Sequence, residues 1–333
     1  MDHSEVRQVG DTRVTVPILG LGGSALGGFH NHAPIADADV AHAYHAAWDA
    51  GVRYFDTAPR YGVGRGERHL GGALRDQPRD AYRLSTKVGI LEDLPPGADG
   101  VRTVRCDYGY DATLGSIEHS LERLGTDHVE MVFVHDIGAQ THGPAGSERR
   151  FRETMDGALP ALARLRSEGT VGAIGIGIGS AEVCIRTLAH TDIDVFMLAG
   201  RYTLLDLSAL DTLLPMCEAR NVSVVVAAPF NSGILATGAR PDARHNELPA
   251  GTAVRERMRT IEAICTEYGV PVGAAALQFP LAHPAVVTVV PGPSTARQVE
   301  AVADWFRKPI PAGVWTAFRE AGVISAEAPV PIA

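Results

Sequence analysis

Cysteine is scarce in this chain: Cys106, Cys184, Cys217 and Cys265 are its four, far apart and with no C-x-x-C or other metal-type spacing. That argues against a zinc ribbon or a disulfide scaffold and fits reduced thiols packed as small hydrophobes. Positive charge is also in short supply, with 30 Lys and Arg against 39 Asp and Glu and a net charge of -9. Sequence-independent binding of nucleic acid needs a basic face, so no nucleic-acid partner is expected. No apolar run reaches the roughly 20 residues that a membrane span needs, so no membrane association is expected either. Met1-Asp2-His3-Ser4-Glu5 has neither a basic nor an apolar region, which predicts no secretion signal and a cytoplasmic location. The thirteen histidines never adopt H-x-x-x-H or H-E-x-x-H spacing. No metal site is expected, and a zinc hydrolase is disfavoured.

What the chain does have is length and apolar content: 333 residues, 45% of them hydrophobic, enough to bury a large core. Arg13 to Gly20 reads as short strand material, one arm of a hairpin, and runs into Leu21-Gly22-Gly23-Ser24-Ala25-Leu26-Gly27-Gly28. Those glycines serve either a turn or a close approach to a ligand. From there a rhythm sets in. Helical periodicity over 36–50 stops at Gly51 and a strand follows at 52–55. Further helices are expected over 66–74, 111–124, 151–166, 182–188, 210–220, 254–268, 272–282 and 296–302. Strands are expected at 82–87, 129–135, 173–177, 195–198, 223–227 and 286–290. Strands alternating with amphipathic helices predict a parallel sheet with helical crossovers. About seven strands, or eight with one hidden near the ends, and no linker between them favour a single domain over 1–333. The expected fold class is α/β, a closed (β/α)8 TIM barrel. The stretches 91–110, 136–150 and 236–251 each follow a strand and would be loops over the barrel mouth.

In such a barrel the chemistry sits at the C-terminal strand ends. Counting from the strand at 52–55, the first three expected strands end in Asp56, Lys87 and His135, and Tyr61 lies on the loop after Asp56. Any one of these has a bland reading as a structural histidine or a snorkelling lysine. Together they form a proton-transfer set. Lys87 as an ammonium held by Asp56 lowers the phenol of Tyr61 from its ordinary value of about 10, so that it gives and takes a proton. His135 then bonds and orients the substrate oxygen. None of the four accepts electrons, so an oxidation or reduction here needs a cofactor.

With those residues in place the chain resembles an aldo-keto reductase over nearly its full length. The resemblance rests on 51–62 (Gly-Val-Arg-Tyr-Phe-Asp-Thr-Ala-Pro-Arg-Tyr-Gly), on Ser85-Thr86-Lys87, on the strand ending in His135, and on Val290-Pro291-Gly292-Pro293-Ser294. It implies a nicotinamide cofactor across the mouth, and catalysis by Asp56, Tyr61, Lys87 and His135. Cofactor contacts are implied at Gly23, Ser24, Asp56, Tyr202, Pro229, Phe230, Asn231, Ser232, Gly233, Leu235, Pro291, Gly292, Ser294, Arg297 and Gln298. Where the family usually has Ser-Asn to hold the carboxamide, this chain has Gly177-Ile178-Gly179, leaving Ser180 or backbone groups. The ring that would stack on the nicotinamide falls at Ala227, leaving Phe230 or Tyr202 as substitutes. Where NADP-preferring relatives carry a Lys and an Arg for the 2′-phosphate, the chain has Gly292 and Gln298, with Arg297 adjacent. That leans to NAD, with NADP as the alternative.

The segments 199–206, 214–217 and 229–235 are similar to a branch containing D-threo-aldose 1-dehydrogenases, also called L-fucose dehydrogenases, and pyridoxal 4-dehydrogenases. That similarity implies oxidation of a small-molecule aldose at its anomeric carbon to a lactone. A sugar needs polar partners from the mouth loops, and Asp136, His142 and Asn231 are the candidates. The alternatives are a pyridoxal or general aldehyde or ketone substrate and, in a different class, a cofactor-binding regulatory subunit with little catalysis. The runs Gly62-Val63-Gly64-Arg65-Gly66 and 175–179 do not complete a dinucleotide fingerprint. They read as a turn and as a strand tip crowded by cofactor.

Overall fold

A computed structural model describes residues 5–28, 35–93 and 103–332. Eight parallel strands form one sheet in chain order: β1 (Leu21–Gly22), β2 (Tyr54–Asp56), β3 (Arg83–Val88), β4 (Val129–His135), β5 (Val171–Ile178), β6 (Val195–Ala199), β7 (Ser223–Ala227) and β8 (Val286–Val290). The sheet closes on itself. Leu19 bridges Val289, the Gly20 N–H donates to the Val289 carbonyl at 2.9 Å, and the Gly22 N–H donates to Pro291 at 2.8 Å. This is the expected (β/α)8 barrel, and closure leaves no exposed sheet edge.

Both faces of each barrel strand are covered, which is why the strands read as continuous apolar runs. Along β4 the side chains alternate: Met131 and Phe133 join the interior cluster, while Val132 and Val134 pack outward against the helical layer. An antiparallel hairpin, Val6–Gln8 with Thr15–Pro17, contributes Val9, Val14 and Val16 to the interior cluster. It is the strand material expected before the barrel.

The strand-end run 175–179 is mostly part of β5, and its crowding comes from the chain itself. A Cβ on Gly175 would lie 1.6 Å from the Val195 carbonyl oxygen on the neighbouring β6. Backbone cannot yield as a flexible side chain can. Gly175→Ala is therefore expected to cost about 3 kcal/mol or more, seen as a lower urea midpoint at unchanged slope.

Several expectations need correction. The eighth strand hidden near an end is the two-residue β1, inside the glycine-rich stretch 21–28 and first in the barrel, so Asp56 and His135 end the second and fourth strands and Lys87 is next to last in the third. Two residues carry no alternation, and only their pairing, Leu21 with Phe55 and Gly22 with Asp56, marks them as a strand. The stretch 136–150 is largely helical: Ala139–Glu153 forms a helix broken at Gly143 (φ 67) before Pro144, the dipeptide that reads as a loop. It continues through a π-turn over Thr154–Ala158 into the helix Leu159–Glu168. A final helix, Ala312–Glu320, was not expected. Part of the loop 91–110 lies outside the described residues; its ends pair as Ile90–Glu92 with Val104–Cys106.

Candidate active site

The register of the barrel brings three strand ends together. Asp56 pairs with Ser85, and Lys87 stands two residues further along β3; Lys87 pairs with Phe133, and His135 stands two further along β4. A step of two keeps the same face, so the three side chains share one side of the sheet at its C-terminal rim. Lys87 Nζ donates to Asp56 Oδ2 at 2.6 Å and to the Thr57 carbonyl at 2.9 Å. It lies 4.9 Å from the centre of the Tyr61 ring, and that ring meets His135 edge-on at 5.8 Å. All four are buried, with Lys87 only 2% exposed.

The loop carrying Tyr61 is pressed against the glycine stretch after β1. A Cβ on Gly27 would lie 2.5 Å from the Tyr61 Cβ. At Gly27, then, glycine serves the approach of the chain's own loop.

Three groups that sequence reasoning passed over support the site. The Ser85 hydroxyl donates to Asp56 Oδ1 at 2.7 Å, and Tyr54 OH lies 2.9 Å from Ser85 Oγ, so the carboxylate is held from below as well as by Lys87. Tyr108 OH donates to the His135 carbonyl at 2.7 Å and stands 3.0 Å from His142 Nε2. Ser85 was within the quoted Ser-Thr-Lys motif, and its period-2 relation to Lys87 was the available signal. Nothing local marks Tyr54 or Tyr108.

The electrostatics differ from expectation in one respect. Burial pushes the Tyr61 phenol above its ordinary value, and the pull of Lys87, by its charge and a hydrogen bond, only partly offsets it. Desolvation outweighs one cation that is already paired with Asp56. Burial also opposes the Lys87 ammonium, but Asp56, with Tyr61, more than compensates and holds it up. The arrangement is a buried ammonium–carboxylate pair beside a protonated phenol, able to deliver a proton to an oxygen and, in the reverse sense, to take one.

A model of the aldo/keto reductase family matches residues 18–322. The chain belongs to the aldo/keto reductase family. It is an oxidoreductase, and the family works with a nicotinamide cofactor. Among curated relatives, it is 37% identical to a pyridoxal 4-dehydrogenase from Microbacterium luteolum, over 97% of this chain and 98% of that protein. It is 36% identical to a D-threo-aldose 1-dehydrogenase from a Pseudomonas species, over 93% of this chain and 95% of that protein. A holo-form aldo-keto reductase from Bacillus halodurans shares the fold, with a TM-score of 0.73 at 24% identity, over 98% of each chain.

The expected cofactor residues divide into those near open space and those turned inward. Gly292 is exposed, with its nearest neighbour across the gap at Ser24 Oγ. A cleft of about 510 Å³ lies between Ser294–Arg297 and the α-helix Asp37–Asp49, where Asp39 and His42 face it. Ala228, Asn231, Ser232 and Gly233 all have positive φ, a left-handed backbone that non-glycine residues adopt under constraint and that clusters at ligand sites. Ser232 is exposed, and Gly233 has no atom within 4 Å of where a Cβ would stand. The open space beside these residues leaves room for a dinucleotide.

Other residues are engaged elsewhere. Tyr202 is fully buried against Phe279 (ring centres 5.2 Å apart) and the edge of His283, with no face left to stack on a nicotinamide. Asn231 is 1% exposed, its amide committed to Thr203, to the Gly200 carbonyl at 3.0 Å and to Asn246 at 2.9 Å; this also removes it as a sugar partner. Pro229, Leu235 and Pro291 are buried, and the Pro291 carbonyl accepts from the Gly22 N–H. Phe230 is half-buried and packs edge-on against Trp305 at 6.0 Å. The Gly23 N–H donates to the Asp56 carbonyl at 2.7 Å. Ser180 caps the helix Ala181–Leu188, accepting from the Val183 N–H. These inward placements follow from long-range packing that local sequence does not show.

Proposed function

We propose that the protein is an NAD-dependent dehydrogenase that oxidises an aldose, as its cyclic hemiacetal, at the anomeric carbon to a lactone. The observation that carries the reading is the Lys87–Asp56 pair, 2.6 Å apart, beneath the Tyr61 phenol, with His135 edge-on to the same ring. In the oxidative direction Tyr61 as phenolate takes the proton of the anomeric hydroxyl, and Lys87 stabilises that phenolate. His135 holds the same oxygen, which fixes the anomeric C–H relative to the cofactor. When bound, the oxidised nicotinamide supplies the acceptor for the hydride that leaves that carbon. The products are the lactone, the reduced cofactor and one proton.

Pyridoxal is the second reading, favoured by the 37% identity to a pyridoxal 4-dehydrogenase. Its aldehyde and neighbouring hydroxymethyl group close into a hemiacetal, so the same proton and hydride movements would apply. The aldose reading is preferred because the rim beside Tyr61 and His135 carries Arg60, Asp136 and Thr141, polar partners suited to a polyol.

NAD is preferred over NADP on the cleft beside Ser294. Gln298 Oε1 accepts from the Ser294 N–H at 2.7 Å and from its hydroxyl at 2.9 Å, so that side chain is tied to its own loop. Asp39 and Arg297 line the same cleft, so the charge of Asp39 offsets the cation there that could attract a 2′-phosphate.

A panel of L-fucose, other aldoses, pyridoxal and simple aldehydes with each cofactor tests the reading. The expected result is the highest kcat/KM for an aldose with NAD, at least about tenfold above NADP. Turnover confined to pyridoxal or simple aldehydes would remove the aldose assignment.

A further inference from the structure

Glu67 is a fully buried carboxylate that takes no part in the chemistry above. A charge so deep is costly unless its oxygens are paired, and here both are. Oε1 accepts from the Thr86 hydroxyl at 2.6 Å, and Oε2 accepts from Arg123 Nε at 2.6 Å. The two partners belong to different elements. Thr86 pairs with the outward-packing Val132, so it stands on the outer face of β3, between the inward-facing Ser85 and Lys87. Arg123 lies in the last turn of the helix Tyr110–Leu124 and also donates to Glu92 Oε2 at 3.1 Å. Arg68 Nη2 donates to both oxygens of Glu92, at 3.1 and 3.0 Å.

This cluster stands at the exit of the loop that carries Tyr61. Glu67 is in the first turn of the helix Arg65–Leu74, one residue past Gly66, whose N–H donates to the Tyr61 carbonyl at 3.0 Å. A Cβ on Gly66 would lie 3.1 Å from the Tyr61 Cβ, so the start of the helix and the base of the phenol are in contact. Within the loop, a Cβ on Gly64 would lie 2.5 Å from Glu92 Oε2, so the ionic cluster presses on the loop directly. Arg123 balances the charge of Glu67. The Thr86 bond adds a tie from the loop to the strand whose next residue supplies the ammonium.

Building on the reading of Tyr61 as the proton-handling group, we propose that Glu67 is a positioning residue: it braces the Tyr61 loop against β3 and so fixes how near the phenol lies to the Lys87 ammonium. The ring centre is 4.9 Å from Lys87 Nζ, and the attraction between charges weakens with separation. The other charges acting on the phenol, Asp56 and Arg60, pull in opposite senses. Releasing the brace lets the phenol move away from the ammonium that favours its ionised form.

Thr86→Val tests the brace, because it keeps the shape of the side chain and leaves the Glu67–Arg123 pair in place. The assay is oxidation by NAD of L-fucose, or of pyridoxal if that is the better substrate. The variant is expected to move the alkaline rise of the rate about one pH unit higher and to lower kcat at neutral pH about tenfold, with KM for NAD within about twofold. Ultraviolet difference titration against Tyr61→Phe reads the same shift of the phenol without turnover. Glu67→Gln should give at least the same shift together with a lower urea midpoint; if it does not fold, Thr86→Val alone decides. A lower midpoint with the rate profile unmoved in Thr86→Val is the mark of a purely structural role and overturns the proposal, while loss of turnover in Tyr61→Phe leaves the reading of the phenol standing. In the Tyr61→Phe background Thr86→Val should cost at most about twofold, since it acts through the phenol. An undiminished tenfold loss there also overturns the proposal.

Discussion

Tyr61→Phe is expected to reduce turnover by about a thousandfold or more while leaving NAD binding within about twofold of wild type. Only the hydroxyl is lost, the ring still fills its place between Lys87 and His135, and the remaining contacts of the loop at Gly27 are untouched. Steady-state rates in both directions and a fluorescence titration of the reduced cofactor measure the two quantities. A variant that still turns over near the wild-type rate would show that the proton is handled elsewhere. The direction of reaction adds a second readout. Because burial holds the phenol up, oxidation, which needs the phenolate, should rise as the solution becomes alkaline, whereas reduction, which needs the phenol, should already run at neutral pH.

Lys87→Met should produce two separable losses. The first is in stability: Asp56, 4% exposed, would keep its Ser85 hydrogen bond but lose its counter-ion, and removing one partner of a buried pair costs about 3–5 kcal/mol. Urea unfolding reads this directly. The second is in the pH profile. Lys87 lowers the Tyr61 phenol, so its removal should move the alkaline rise of the oxidation rate to higher pH.

The pair also has its own pH dependence. Lys87 is held above its ordinary value, so its contribution is complete below the unfolded value of about 10.4 and is lost as pH climbs through the folded one. On the alkaline side, wild type should therefore lose this stability only in strongly basic solution, and the variant should lack that limb. A Lys87→Met protein with wild-type stability and an unshifted profile would rule out the electrostatic role assigned here.

The fold was largely legible in the sequence because its signals are local. The runs at 129–135, 223–227 and 286–290 become strands with those same limits, since β-branched and aromatic residues buried on both faces dominate them despite Glu130 and Thr288. β1 was not legible: two residues that include a glycine have no pattern of their own, and pairing with Phe55, Asp56 and the loop after β8 alone makes them part of the barrel. The helical pieces over 139–153 were hidden by Gly143-Pro144, a local break signal that the chain obeys only at Gly143 itself, with helix on either side.

At the site, Asp56 and His135 could be found because each is a polar residue ending an apolar run, and Lys87 because it is the one charged residue in 84–89, signals visible without any partner. Ser85, Tyr54 and Tyr108, which hold them, and the inward turn of Tyr202 and Asn231, were not visible, because their roles depend on chain segments up to dozens of residues away.

The amino-acid order alone settled the alternation of strand and helix, and with it a barrel, because periodicity and burial act over a few residues. Whether Tyr61 sits as an acid or a base was left to the tertiary structure. A phenol's proton affinity depends on how far water is excluded and how near the Lys87 ammonium lies, and both are set by strands that meet only when the barrel closes.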